Sequence, residues 1–391
     1  MTRPAVSLVM LVALVCTLIN SMVSACPFCA AVSQTFTEEI DSMDAVVIGE
    51  LVKLPPKAKP DEDVANREAP KATFKIVQIV KGDTYLKGME TIQTIYFGDG
   101  KLGKPFLIMG VDPPKMMWST PLQITARARK YVPQLLALPK EGPKRLEFFQ
   151  NHLEDEDEML ARDAYDEFAK APYQDVVALK VKMDHERIID WIQDQDIPAS
   201  RRRLYLTMLG VCGMEQDLSM LEGMLKSEDR KAKAGLDAMI GCYLTLRGSE
   251  GMPLIEDLFL KNDKAEYADT YAAIMALRFH GSETDVIPRK RILKGLRHML
   301  DRPQLADLVI PDLARWKDWE SMPRLVQLFK EADDKSSWVR VPVINYLRAC
   351  PEPEAEKYIT ELKKIDPDAV KRANTFFPFG GAGGGSKPAK S

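Results

Sequence analysis

Cysteine and histidine are scarce in this chain, and their scarcity excludes much chemistry. Six cysteines and four histidines are spread over 391 residues. Cys16 lies in an N-terminal apolar segment, which leaves Cys26, Cys29, Cys212, Cys242 and Cys350, too odd and sparse a set for a disulfide scaffold. His152, His185, His280 and His298 are scattered. His185-Glu186 opens like the zinc-protease helix H-E-x-x-H, but Ile189 stands where the second ligand is required. No Ser or Cys has a context that suggests a nucleophile triad, so the chain is read as non-enzymatic, with no catalytic residue, cofactor or metal site. Charge of one sign is also lacking. The net charge is −3, which argues against a general nucleic-acid binder. Beyond the N-terminal segment no apolar run approaches the roughly 20 residues of a spanning helix.

What is present begins with that segment. Arg3 is followed by an apolar run from Val6 to Ile19, then by Asn20-Ser21-Met22 and Val23-Ser24-Ala25. Small residues at the last and third-last positions suit signal peptidase, so residues 1–25 are expected to be a secretory signal, and a membrane anchor is the poorer reading. The protein is then exported: periplasmic, in the cell envelope or extracellular. Val23-Ser24-Ala25-Cys26 also resembles a bacterial lipobox, in which case Cys26 carries acyl chains and the protein is tied to the membrane.

Cys26-Pro27-Phe28-Cys29 is the only close cysteine pair. Covalent haem requires His after the second Cys, and Ala30 is there. A thioredoxin-type pair requires a preceding strand and a helix N-terminus to lower the thiol pKa, and no strand precedes it. A metal site requires two further ligands. A disulfide between Cys26 and Cys29, tying down the mature N-terminus, is the plainest expectation, and a thiol redox role remains an alternative.

From Asp44 to about Pro139 apolar residues mostly alternate. Strands are expected at 44–52, 73–80, 91–97, 105–109 and 117–125, with a solvated loop over 53–71 and a closing helix at 129–138. Gly98-Asp99-Gly100-Lys101-Leu102-Gly103 spells G-x-G-x-x-G and, with Lys104, nearly a P-loop. Both motifs need a helix next. A strand pattern follows instead, and Pro105 occupies the Mg²⁺-binding Ser/Thr position, so the stretch reads as a hairpin turn.

After the cysteine start, the Ala45-Val46-Val47-Ile48-Gly49 strand, the Val80-Lys81-Gly82 turn and Lys104-Pro105-Phe106-Leu107-Ile108-Met109-Gly110, the stretch from Cys26 to about Leu138 resembles the netrin-like domain. That is the OB-type barrel of tissue inhibitors of metalloproteinases. The resemblance implies that a free amine and carbonyl at Cys26 could chelate a protease zinc. The start departs from the family, being Cys-x-x-Cys rather than Cys-x-Cys, and no further cysteine precedes Cys212.

After Gly142 the apolar spacing becomes three and four, as in Leu218, Leu221, Met224 and Leu225. Similar helices are expected near Leu160, Ser200, Arg230, Glu266 and Trp338, roughly 30–40 residues apart, with a helix near Leu305–Trp316 in the one doubled gap. This resembles HEAT-type repeats. Val339, Val343, Leu347 and Ala349 are expected on one buried stripe of the last hairpin. Glu154-Asp155-Glu156-Asp157-Glu158 lacks the Gly and closing Glu of a calcium loop and is expected to be solvated near a helix N-terminus. Arg201-Arg202-Arg203 is expected to be a solvated helix face. Phe376-Phe377-Pro378-Phe379 and the Gly-, Ser- and Lys-rich end are expected to form a disordered tail whose aromatic start docks on the last hairpin.

The sequence therefore predicts a multidomain β + α chain: signal peptide 1–25, small OB-like β-barrel 26–142, HEAT-like α-solenoid of helical hairpins 143–372, and tail 373–391. Its expected role is an exported, non-catalytic interaction scaffold, meeting a protein partner through the solenoid surface. Membrane contact is expected only if Cys26 is lipidated. The alternatives are a metalloprotease inhibitor acting through Cys26 and a thiol redox protein using Cys26 and Cys29.

Overall fold

The computed structural model describes residues 28–30, 33–56 and 69–375. The chain divides into two compact units, Met1–Met183 and Asp184–Ser391. The expected signal, the Cys26 end of the cysteine pair and the tail from Phe376 lie outside the described residues.

The first unit opens with helix α1 (Phe36–Ser42), held by a capping box in which Thr35 and Glu38 each accept the other's backbone N–H. Strands β1 (Ala45–Lys53), β2 (Lys71–Lys81), β3 (Thr91–Ile95), β4 (Pro105–Val111), β5 (Met117–Trp118) and β6 (Leu122–Gln123) follow. They form one antiparallel sheet in the order β3-β2-β1-β4-β5, with β6 also on β4. The Thr94 hydroxyl lies within hydrogen-bonding reach of the Trp118 and Ser119 carbonyls, so the sheet curls into a near-barrel. Both faces of β1 are buried, which explains its unbroken apolar run where an edge strand would alternate. Inside, Phe74, Tyr96 and Phe106 meet edge to face with centroids 5.2–5.8 Å apart. Gly82 (φ 91°) closes the β2 end: a Cβ there would lie 2.6 Å from the Asp44 carbonyl oxygen. The Gly98–Gly103 stretch turns directly into β4, with Gly103 N–H donating to Leu51 O.

Helices α2 (Ala126–Leu135), α3 (Pro143–Gln150), α4 (Glu158–Lys170) and α5 (Tyr173–Ala178) complete this unit. The change in periodicity at Gly142 is thus real, but the compact unit continues past it to Met183.

The second unit runs through α6 (His185–Gln193), α7 (Ala199–Cys212), α8 (Leu218–Lys226), α9 (Leu236–Arg247) and α10 (Met252–Ile255), the last continuing as a π-turn (Glu256–Leu260). Next come α11 (Tyr267–Ser282), α12 (Arg289–Arg297), α13 (Ile310–Arg315), α14 (Met322–Glu331), α15 (Arg340–Ala349), α16 (Pro353–Ile365) and α17 (Pro367–Thr375). Prolines at or just before the first turn start many of these helices, where their missing N–H costs nothing.

Two kinds of helix alternate. α7, α9 and α11 pack on one another in sequence and bury most of their residues past the first turn. α6, α12 and α14 bury one stripe each, such as Ile188 and Ile192, or Leu325 and Phe329. Ion pairs recur between successive inner layers at near-constant separations: Arg203–Asp237 (34 residues) and Arg278–Asp312 (34) join inner helices, and Lys233, in the turn before α9, reaches Asp269 of α11 (36). The helical region is thus loosely solenoid-like.

Several local expectations shift. Arg230–Gly235 is not helical; it forms the turn before α9, with Gly235 at φ 81°. Val339, Val343 and Leu347 are buried, but Ala349 is exposed. The expected solvated arginine face is overturned: Arg201 is buried and Arg202 is 1 % exposed. Arg202 donates to the carbonyls of Asp194 and Lys231, both at 2.6 Å, and so stitches α7 to the loops on either side. Arg203 pairs with Asp237. A guanidinium can satisfy several orphan carbonyls at once, which an apolar side chain cannot.

Candidate functional site

In the first unit, α4 carries three buried carboxylates at i, i+3 and i+4. Asp163 accepts from the Phe36 N–H (2.7 Å) and the Tyr131 hydroxyl (2.6 Å). Asp166 accepts from the Ser33 hydroxyl (2.8 Å). Glu167 takes the Arg145 guanidinium in a fork, and the same guanidinium donates to Thr37 Oγ1 and Pro139 O. Lys170 reaches Ser33 O and Glu38. These contacts clasp the segment 33–38 onto α4. Burial, aided by the charges of Glu167 and Asp166, outweighs the two hydrogen bonds to Asp163 and pushes its carboxyl up to about 6. A groove of about 440 Å³ opens beside the clasp, between Thr37, Leu138, Arg145 and Pro172.

The acidic run feeds this same helix. Asp157 caps α4 by accepting from the Met159 N–H. Asp155 departs from expectation: its side chain is 2 % exposed, held by the Arg127 guanidinium at 2.8 and 3.0 Å and by His152 Nδ1 at 2.9 Å. Burial opposes its charge, but these partners carry its carboxyl down to about 2.

In the second unit a groove of about 420 Å³ crosses three corresponding connections, each leading from an outer helix to the next inner one. They follow the π-turn, α12 and α14. Its apolar lining comes from Pro303, Leu305, Leu328 and Ala332, and its acidic residues are Asp263, Asp301, Glu331 and Asp333. Arg302 is turned into the fold, donating to Phe259 O (3.1 Å) and Thr270 Oγ1 (3.2 Å). Arg324 lies 3.8 Å from Asp301 and 3.6 Å from Glu331. The hydrogen bond from Ser336 Oγ keeps Asp333 below the usual carboxylate range. Trp338 is exposed and donates its indole N–H to Gln304 O, at the same connection. An apolar lining with carboxylates around it suits an extended basic segment.

The histidines stay apart. His185 Nε2 meets Asp217 at 2.8 Å, and His280 is buried between Gly241 O and Thr284 Oγ1. Among the described residues no group of three or more His, Cys, Asp or Glu side chains is placed to hold a metal ion. Cys242 and Cys350 are buried, while Cys212 and Cys29 are half-buried. Cys26, with its expected disulfide and lipidation, lies outside the described residues. Neither groove was singled out in the sequence. The only signal for the second is a run of acidic residues at the ends of consecutive helical patterns, which any solvated turn also shows. No known family model and no curated protein matches this chain.

Proposed function

We propose that this is an exported, non-catalytic interaction protein. In this reading the near-barrel is of the netrin-like OB type, and the helical region is a HEAT-like array whose surface docks a partner protein. The observation that carries the reading is the second groove, because corresponding connections of three consecutive hairpins line up along it. Repeat arrays present binding surfaces in this way, each hairpin adding one connection to a common face. The apolar lining and the four carboxylates define the partner chemistry as an extended segment bearing lysine or arginine.

The test replaces three exposed or half-exposed carboxylates together, Asp301→Asn, Glu331→Gln and Asp333→Asn, in the full chain. In-cell cross-linking is followed by reconstitution of the recovered protein with the purified chain. The proposal expects a partner that binds the wild type one to one and is lost from the triple variant at unchanged melting temperature. Equal binding to both forms, or no reconstituted complex, refutes it.

A further inference from the structure

We propose that the chain's own C-terminal segment, residues 376–391, occupies this groove and competes with the partner. The inference rests on the groove being a binding site for a basic segment, as read above. The segment follows directly from Thr375, the last residue of α17, in the same unit. It contains Lys387 and Lys390, no acidic residue, and the aromatic stretch Phe376-Phe377-Pro378-Phe379. Fully extended it reaches about 50 Å. The groove offers the complementary chemistry, with apolar walls at Leu305 and Leu328 and four carboxylates against the guanidiniums of Arg302 and Arg324. Arg302 donates to Phe259 O and Thr270 and its charge also acts on Asp263, Arg324 lies near Asp301 and Glu331, and Asp333 accepts from Ser336 Oγ and the Lys335 N–H; Asp263 and Asp333, both exposed and outside the Arg324 pairs, are the carboxylates the tail lysines would meet. A tethered segment needs little intrinsic affinity, because its effective concentration is in the millimolar range.

Zero-length carbodiimide cross-linking of the full chain, read by mass spectrometry, tests the proposal. Lys387 or Lys390 should couple to Asp263, Asp301, Glu331 or Asp333. The products should be lost in Asp263→Asn/Asp333→Asn and at about 1 M NaCl, where screening acts within about 3 Å. Mixing isotope-labelled and unlabelled chains should give no cross-label products; cross-label products would assign the occupant to a second copy and overturn the proposal. So would tail lysines coupling indiscriminately to carboxylates elsewhere. A free octalysine probe separates the two readings. If the probe couples to the groove carboxylates and the tail lysines do not, the groove stands and the tail inference falls. If neither couples, both fall.

Discussion

Breaking the Arg145–Glu167 pair from one side should destabilise the first unit far more than removing it from both. The side chains are 11 % and 7 % exposed, so neither charge has water as a substitute partner. Three bonds of 2.7–3.0 Å join them, and Arg145 also holds Thr37 Oγ1 at 2.9 Å and Pro139 O at 3.2 Å. Arg145→Met therefore strands a buried carboxylate, a hydroxyl and a carbonyl. Losing one partner of a buried pair typically costs about 3–5 kcal/mol, and Arg145→Met is expected at the upper end of that range. Glu167→Gln keeps one acceptor oxygen and belongs lower, at about 2–3 kcal/mol, since it leaves a guanidinium only partly compensated. Arg145→Met/Glu167→Leu removes both charges and should recover to within about 1–2 kcal/mol of the wild type, because a well-packed apolar replacement of a buried pair is often neutral. Denaturant-dependent amide exchange in α4, followed by mass spectrometry, reads this unit without interference from the other. Single variants each costing less than about 0.5 kcal/mol would refute the reasoning. So would a double variant whose loss equals the sum of the singles.

Four further outcomes follow from the same packing. Asp163, with its carboxyl raised from 3.8 to about 6, binds its proton more tightly folded than unfolded; its stabilising contribution, roughly 3 kcal/mol, is complete below pH 3.8 and lost as pH rises through 6. Asp163→Asn should flatten that part of the stability–pH curve of the first unit, and an unchanged slope counts against it. His280 runs the other way: burial pushes its imidazole down to about 4, so its contribution is present above pH 6.5 and lost as pH falls through 4, and its ring protons should titrate near 4 by NMR. Leu347, 1 % exposed in α15, should cost about 2–5 kcal/mol as Leu347→Ala in urea unfolding. A fragment Asp184–Thr375 should melt cooperatively, whereas in one beginning at Pro143 the stretch 143–183, stripped of α1 and α2, should be cut by protease while the remainder resists.

The strand and helix periods were legible in the sequence because each reports a local geometry. Alternation placed β1 to β4 within a few residues, and Gly82 and Pro105 marked a turn and a strand where a nucleotide motif would need a helix. Three- and four-residue spacing likewise announced helices after Gly142, since one buried stripe per helix is a property of the helix itself. The extent of the first unit was not legible: periodicity changes at Gly142, but Arg145 reaches back to Thr37, and Asp163 to Tyr131 and Phe36, across 32 to 127 residues of chain. Arg202 follows the same logic, because a triple-arginine stretch looks solvated until the carbonyls of Asp194 and Lys231 are brought to it. The groove is the extreme case, since residues at 263, 301 and 333 share a surface only once the hairpins stack. Local sequence carries the period of each element; which polar groups become each other's solvent is decided by long-range packing, and only the tertiary structure holds that information.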